Sequence, residues 1–307
     1  VEPGEAGRRL DVFLAERLAL SRAQVRRLLE RGAVRLDGRR APAKGELLAA
    51  GSAVEVEPFR RPAELRIAPR PDPEIRILAR GPGWLAVDKP AGMPVHPLEE
   101  EERGTVLNAL VVLHPEIQGV GEGGLRSGVV HRLDVDTSGA LLVATEQARW
   151  EALRAAFAEH RVEKLYRAIV VGRLREAGRV AVGLVTARHR PARVRVIPPE
   201  ELERARGARV GEMSWRPLEQ HARTTLVEVR PRTGFLHQIR ATLAWLGFPV
   251  AGDRVYGTGD DPTGATRHML HAARVASGDV AADCEDAADF AALLQRLRGA
   301  LSASARS

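Results

Sequence analysis

The sequence predicts an α+β protein in two parts: a small N-terminal helix-helix-strand unit, and a larger body built on a mixed, mainly antiparallel sheet. Three observations lead there. Apolar residues recur at helical spacing over residues 10–29, and a short alternating strand follows. Prolines then interrupt the chain at Pro58, Pro62, Pro69, Pro71 and Pro73, with arginines between them. Beyond these, strand-like runs outnumber helical ones and are often consecutive, which favours an antiparallel sheet over a doubly wound fold.

A chain of 307 residues can hold one large domain plus a small one. Lys and Arg total 47 against 40 Asp and Glu, a net charge of +7. Only Lys44, Lys89 and Lys164 are lysines. The rest are arginine, the side chain suited to bidentate phosphate contact and to stacking on bases. This basic balance points to an anionic partner, nucleic acid ahead of membrane. Hydrophobic residues at 44% and charged residues at 28% exclude a wholly disordered chain. The absence of a run of about 18 apolar residues excludes a membrane-spanning helix. Cys284 is the one cysteine, which excludes an internal disulfide and a thiolate zinc cage. The N-terminus lacks a basic-then-apolar signal pattern, so the cytosol is the expected compartment.

In the first unit, Leu10, Phe13, Leu14 and Leu18 form one apolar stripe. Ser21 with Gln24 makes a capping-box start for a second helix, buried through Val25, Leu28 and Leu29 and stopped at Gly32. Val34 and Leu36 alternate as a strand, Asp37-Gly38 signals a hairpin turn, and Val54–Val56 returns. Arg22, Arg26, Arg27 and Arg31 occupy the outer face of the second helix, with Arg39 and Arg40 at the turn. A charge run is usually a solvated face; this one has a single sign and sits on one small unit, as phosphate binding requires. Arg22, Arg26 and Arg27 are therefore candidate RNA contacts. The expected organisation is residues 1–57, a proline- and arginine-rich linker over 58–74, a larger body over 75–301 and a frayed tail over 302–307.

In the body, strands are expected over 75–79, 84–87, 129–133, 140–145, 164–171, 194–197 and 225–229. Trp150, Leu153 and Phe157 mark one helix; Leu236, Ile239, Leu243 and Leu246 mark another, closed by Gly247. Residues 267–272 read as a strand bordering the site, because His268 and His271 lack a third metal ligand nearby. Gly121, Gly123, Gly124 and Gly128 lack the Lys-Ser/Thr ending of a phosphate loop.

The most informative stretch is His131-Arg132-Leu133-Asp134-Val135-Asp136-Thr137-Ser138-Gly139. A carboxylate on a turn between apolar strands can serve as nucleophile or base. The bland alternative is an ordinary turn, for which Asp, Thr, Ser and Gly are standard residues. Asp134 and Asp136 share one short turn, so no pair of carboxylates at glycosidase separation can be identified.

The nonapeptide resembles the H-R-L-D-x-x-T-S-G signature of the RluA family of pseudouridine synthases. Four further stretches are similar to that family's motifs and stand in its order. They are Lys89-Pro90-Ala91-Gly92-Met93-Pro94-Val95-His96, then Lys164-Leu165-Tyr166-Arg167-Ala168. Last come Thr233-Gly234-Phe235-Leu236-His237-Gln238-Ile239-Arg240 and Gly252-Asp253-Arg254-Val255-Tyr256-Gly257. The first unit resembles the small RNA-binding domain named after ribosomal protein S-four, with Ser52 where an aspartate is common. Phe235 replaces the family's usual arginine, and Thr242 its usual histidine.

The resemblance implies isomerisation of uridine to pseudouridine in RNA, with the base flipped out of its stack. Asp134 is implied as the nucleophilic or charge-stabilising carboxylate, through either a covalent sugar adduct or a glycal intermediate. Arg240 is implied as its ionic partner, three residues from His237 on one helix face. Tyr166 is implied to stack on the uracil and to act as general base, against the bland reading of a core tyrosine. Arg132 is expected to fill the gap left by the flipped base, against a salt bridge to Asp136. His131, Thr137 and Gln238 are carried over as substrate or RNA contacts. No cofactor or metal is implied. The expected partner is ribosomal RNA of the large subunit, with tRNA second, no membrane, and a monomeric chain. A non-catalytic RNA-binding or ribosome-assembly factor is the reading from another class.

Overall fold

The structure, a computed structural model, describes residues 1–307 except 43–45, 72, 190 and 305–307. Its contacts divide the chain into Val1–Arg61 and Pro62–Ser307.

In the first unit, helix α1 (Leu10–Arg17) is followed by α2 (Arg22–Arg31). Ser21 accepts from the Gln24 amide while the Gln24 side chain accepts from the Ser21 amide, which satisfies two of the donors a helix start leaves open. Gly32 ends α2 in the left-handed conformation at φ 79°. A three-stranded antiparallel sheet follows, with β1 (Val34–Leu36) between β2 (Arg39–Arg40) and β3 (Val54–Val56). Leu10, Phe13 and Leu14 meet Val25, Leu28 and Leu29 in its core, each contributing about 1.5–3 kcal/mol by burial. Lys44 lies outside the described residues.

In the second unit the strands are β4 (Ile77–Gly81), β5 (Trp84–Lys89), β6 (Ser138–Ala144), β7 (Glu163–Val171), β8 (Gly178–His189) and β9 (Ala192–Ile197). They continue with β10 (Arg209–Gln220), β11 (Thr224–Pro231), β12 (Leu270–Ser277) and β13 (Val280–Asp283). The helices are α3 (Val106–Leu113), α4 (Gln147–Ala158), α5 (Gln238–Trp245) and α6 (Ala288–Ser304). Among the described residues the strands form one ten-stranded sheet in the order β4-β5-β6-β12-β7-β11-β10-β8-β9, with β13 on β12. Its pairings are antiparallel except β6 with β12, which run parallel. The mixed, mainly antiparallel α+β architecture is as the sequence predicts.

Period-two alternation splits β5 and β6 between two cores. Leu85, Val87, Leu141 and Val143 face α3, while Ala86, Ala140, Leu142 and Ala144 face α4. A third core joins β7 and β11 to α5 and α6 through Ile169, Leu226, Leu243 and Phe290. Tyr166 packs against the first and third of these cores, at their junction.

Several details differ from the expectation. Residues 129–133 are not a strand: Val129 makes a single bridge to Val143, and the carbonyls of Val129 and Val130 accept from Trp150 and Arg154 of α4 instead. The strand expected from Arg267 begins at Leu270, because the Arg267 side chain turns inward to bind carbonyls. The helix expected from Leu236 begins at Gln238, because His237 before it is left-handed at φ 52°. The stretch expected as a proline- and arginine-rich linker over 58–74 packs in part on the larger unit. Ile67 is buried and exchanges two hydrogen bonds with Gln118, and Arg70 and Ala68 bond to Asn108. The backbone of α6 also runs into the expected tail, to Ser304, while 305–307 lie outside the described residues. No helix among the described residues is long and apolar enough to cross a membrane.

Candidate active site

The parallel pair sets the position of the site. It brings the turn before β6 beside the segment before β12, and β7 lies next to β12 with Tyr166 opposite Ala272. Gly139 makes this approach possible. It sits at φ +114°, and a Cβ there would lie 2.2 Å from the Ala272 carbonyl oxygen.

The turn of residues 134–138 is then held from two sides. From below, the fully buried Lys89 gives its three ammonium protons to the carbonyls of Pro90, Val135 and Thr137 at 2.7–2.8 Å. Burial pushes its pKa down to about 7, while these acceptors hold the protons in place. From the side, Arg267 donates to the Asp136 carbonyl at 2.9 Å and to the Ser138 hydroxyl at 3.2 Å, anchored by Asp289 of α6. Ser138 bonds His271 at 2.9 Å, and Thr137 bonds His268 at 2.8 Å. Burial holds His268 down at about 4, so it is neutral.

Asp134 stands at the top of this turn with its side chain 21% exposed. Its Oδ2 accepts from Nη1 of Arg240 at 2.8 Å. Arg240 also forms a bidentate fork with Asp253, at 2.7 and 2.9 Å. Burial works against the guanidinium charge, but the Asp253 bonds and the Asp134 charge outweigh it and raise its pKa. For Asp253 burial is likewise overcome, by Arg240 and by the amides of Val255 and Tyr256, and its carboxyl is held below the usual range. The Asp253 side chain is fully buried.

These groups open on a cleft of about 730 Å³ lined by Arg132, Asp134, Tyr166, Phe235, His237 and Arg240 among others. Arg126, Arg154, Lys164 and Arg209 add positive charge to its walls. Lys164 donates to the carbonyls of Arg232 and Thr233, and burial brings its pKa to about 8. The cleft thus combines a carboxylate of restricted exposure, a fixed guanidinium, an aromatic ring and a cationic rim. That arrangement suits attack at a carbon of an anionic polymer with a planar leaving group.

The structure brings together Asp134, Tyr166, Arg240 and Arg132. Tyr166 is half-buried, and burial together with the Asp134 charge raises its pKa, so at neutral pH its hydroxyl keeps its proton. Arg132 is exposed at the cleft. Arg22, Arg26 and Arg27 are exposed on α2 of the first unit, with Arg26 paired to Glu30 at 3.6 Å. Three other expected contacts, His131, Thr137 and Gln238, line the cleft and also have partners within the protein. His131 accepts from the Leu142 amide and stacks on Phe157 at 4.7 Å, and burial pushes its pKa down to about 3. The Thr137 hydroxyl is bonded to His268. Gln238 donates to the Glu212 carbonyl and accepts from Thr233 and from the Phe235 amide. All three shape the walls of the site.

Sequence reasoning gave no role to Lys89, His237, Asp253, Tyr256 or Arg267. A signal existed for Lys89, one of three lysines and the end of a mainly apolar strand. Asp253 and Tyr256 stand in a stretch similar to a family motif, but no role was given to either.

Comparison with known proteins agrees with this geometry. The RNA pseudouridylate synthase model matches residues 83–245, and the S4 domain model matches residues 8–52. The chain is 36% identical to the "Uncharacterized RNA pseudouridine synthase" of Chloroflexus aurantiacus, over 89% of this chain and 83% of that protein. It is 34% identical to the ribosomal large subunit pseudouridine synthase D of Xanthomonas campestris pv. campestris, over 88% of this chain and 78% of that one. The fold resembles human RNA pseudouridylate synthase domain containing 4, with a TM-score of 0.59 at 24% identity over 73% of this chain and 93% of that one. With the carboxylate, arginine and tyrosine of its motifs gathered at one cleft, the chain belongs to the RNA pseudouridine synthases, isomerases that convert uridine to pseudouridine, and it carries an S4 RNA-binding domain in front.

Proposed function

We propose that this enzyme modifies uridine in large-subunit ribosomal RNA, in the cytosol, with Asp134 as the reacting carboxylate and Arg132 in the place of the flipped base. The observation that carries the reading is the Asp134–Arg240 contact of 2.8 Å at the edge of a cation-lined cleft. The names of several relatives support the ribosomal target, and the S4 domain supports RNA as the partner.

The chemistry runs from these groups. The bond between ribose C1′ and uracil N1 breaks, and its electron pair leaves on N1. Asp134 either bonds to C1′ or stabilises the charge there while the sugar loses a proton to give a glycal. Arg240, held by Asp253, keeps Asp134 ionised and aimed. The uracil turns against the Tyr166 ring, and C5 bonds to C1′ as the Asp134–C1′ bond breaks or, on the glycal route, as C2′ takes back its proton; the C5 proton then leaves. Tyr166 receives that proton only as an ionised phenol, which burial and the Asp134 charge oppose. Extruding the nucleotide costs a few kcal/mol, which Arg132 offsets by stacking in the gap.

The test is pseudouridine mapping in ribosomal and transfer RNA from cells with and without the gene, complemented by wild type or Asp134→Asn. Loss of one ribosomal uridine's modification, restored by wild type alone, is the expected result. A missing pseudouridine in tRNA would move the substrate. No missing pseudouridine, with equal rescue of growth by both forms, would leave an RNA-binding factor.

A further inference from the structure

His237 is a third polar side chain beside Asp134. It precedes α5 as its N-cap residue in the left-handed conformation, φ 52° and ψ 17°, where a non-glycine residue carries a cost. That conformation places the imidazole between Asp134 and Tyr256. Its Nε2 lies 3.9 Å from Asp134 Oδ2, and its Nδ1 lies 2.9 Å from the Tyr256 hydroxyl. The two rings meet edge to face with centroids 5.7 Å apart.

Hydrogen-bond accounting around Tyr256 points to one tautomer. Its oxygen accepts from the Val194 amide at 2.8 Å. Burial raises the pKa of this phenol, so it retains its proton. Among the described residues, His237 Nδ1 is the partner placed to accept that proton. Nδ1 is therefore the acceptor, and the imidazole carries its own proton on Nε2, the nitrogen nearer Asp134. Burial lowers the His237 pKa; of the charges facing it, Asp134 and Asp253 oppose that shift while Arg240 and Arg132 add to it. The ring is neutral at pH 7.

A separation of 3.9 Å is too long for a hydrogen bond. The Nε2–H lines the cleft beside the carboxylate without being consumed by it. A uracil released from ribose carries a negative charge shared by its two carbonyl oxygens, and this is where such charge develops. We propose that His237 is a further catalytic residue, a neutral Nε2–H donor whose tautomer is set by Tyr256 and which hydrogen-bonds an oxygen of the detached uracil. This inference rests on the uridine-to-pseudouridine reading of the site.

The same short segment sets two groups at once. Asp253 grips Arg240 with its carboxylate, its Oδ1 also accepts from the Tyr256 amide, and the Tyr256 ring lies under the Arg240 guanidinium at 5.3 Å. Residues 253–256 thus orient the partner of Asp134 through one side chain and the tautomer of His237 through another.

Two measurements on the full chain test this. The first is the ¹H–¹⁵N spectrum of the histidine rings at pH 7, with His237 assigned by its loss in His237→Gln. The expected result is a neutral ring protonated on Nε2, with the Nδ1 tautomer gaining population in Tyr256→Phe. The second is single-turnover pseudouridine formation on an RNA that the wild type modifies, with RNA affinity measured in parallel. Removal of an oxyanion donor typically lowers rate about 10²–10³-fold. His237→Ala should fall by about 10²-fold at unchanged affinity, and His237→Gln, which retains an N–H donor, should recover to within about 10-fold of wild type. A proton found on Nδ1 would overturn the proposal, as would a His237→Ala variant with wild-type turnover or a His237→Gln variant as slow as the alanine one. A wild type that forms no pseudouridine on any RNA would instead sink the reading of the site, and the substrate part of the proposal with it.

Discussion

Replacing Asp253 with alanine is the most demanding prediction. Arg240 is 5% exposed, and three of its N–H groups are held by two carboxylates. The substitution takes away two of those acceptors, and the acceptor of the Val255 and Tyr256 amides as well. Removing one partner of a buried ion pair costs about 3–5 kcal/mol. Because Asp134 still faces Arg240, the lower end applies, about 3 kcal/mol. For a unit of this size each kcal/mol lowers Tm by about 2–4 °C, so a drop of about 6–12 °C is expected. The pH dependence adds an independent check. The folded-state pKa of Asp253 lies below its unfolded value of about 3.9. Its contribution is therefore present above that value and is lost as pH falls through the lower, folded pKa. The gap between wild type and Asp253→Ala should narrow on acidification below about pH 4. Thermal melts across pH, followed by circular dichroism, measure both quantities. An alanine variant melting within about 2 °C of wild type at pH 7, with a pH-independent gap, would refute the view that this carboxylate holds Arg240.

Other expectations follow from the same geometry. Gly139→Ala places a Cβ against the Ala272 carbonyl at a strained φ, so a loss of about 4 kcal/mol or more is expected, seen as a fall in Tm or in soluble yield; normal melting would show that the β6–β12 pair yields cheaply. Changing Arg22, Arg26 and Arg27 together to Gln removes exposed charges from α2 and should leave Tm unaltered. If each contacts a phosphate, the slope of log K against log salt flattens by about 2–3, by fluorescence titration with RNA; an unaltered slope would exclude this face. Tyr166→Phe retains the ring, so RNA affinity should hold while single-turnover rate falls by about 10² or more; wild-type turnover would assign the residue to stacking alone.

Much of the site was legible because its parts lie within short motifs. Asp134, Tyr166 and Arg240 were singled out by the resemblance of their segments to family motifs, and the structure places them at one cleft. The supports were less legible. Asp253 lies 13 residues from Arg240, and although its stretch is similar to a family motif, nothing local marks a fork to an arginine on another element. The expectation for 129–133 failed because a short apolar run fits a buried extended segment as well as a strand. Gln238 carries a polar group in a functional motif, which reads equally as ligand or as brace until its partners are seen. α6 was missed although Phe290, Leu293, Leu294 and Leu297 have helical spacing behind Asp289. The parallel pairing of β6 with β12 could not be read, since strand partners far apart in sequence leave no local periodicity.

That pairing has a consequence for when the protein becomes competent. Ser138 and His271 are 133 residues apart in the chain, and the ribosome adds residues at about 5–20 per second. For roughly 7–27 s after the Asp134 turn has been made, the strand that braces it does not exist. A nascent chain ending before Leu270 already holds Asp134, Tyr166, Arg240 and Asp253, yet lacks the contacts of His271 with Ser138 and the anchor of Arg267 on Asp289. Catalytic competence is thereby tied to completion of synthesis, and a chain stalled partway can engage RNA through its finished first unit well before it can change a base.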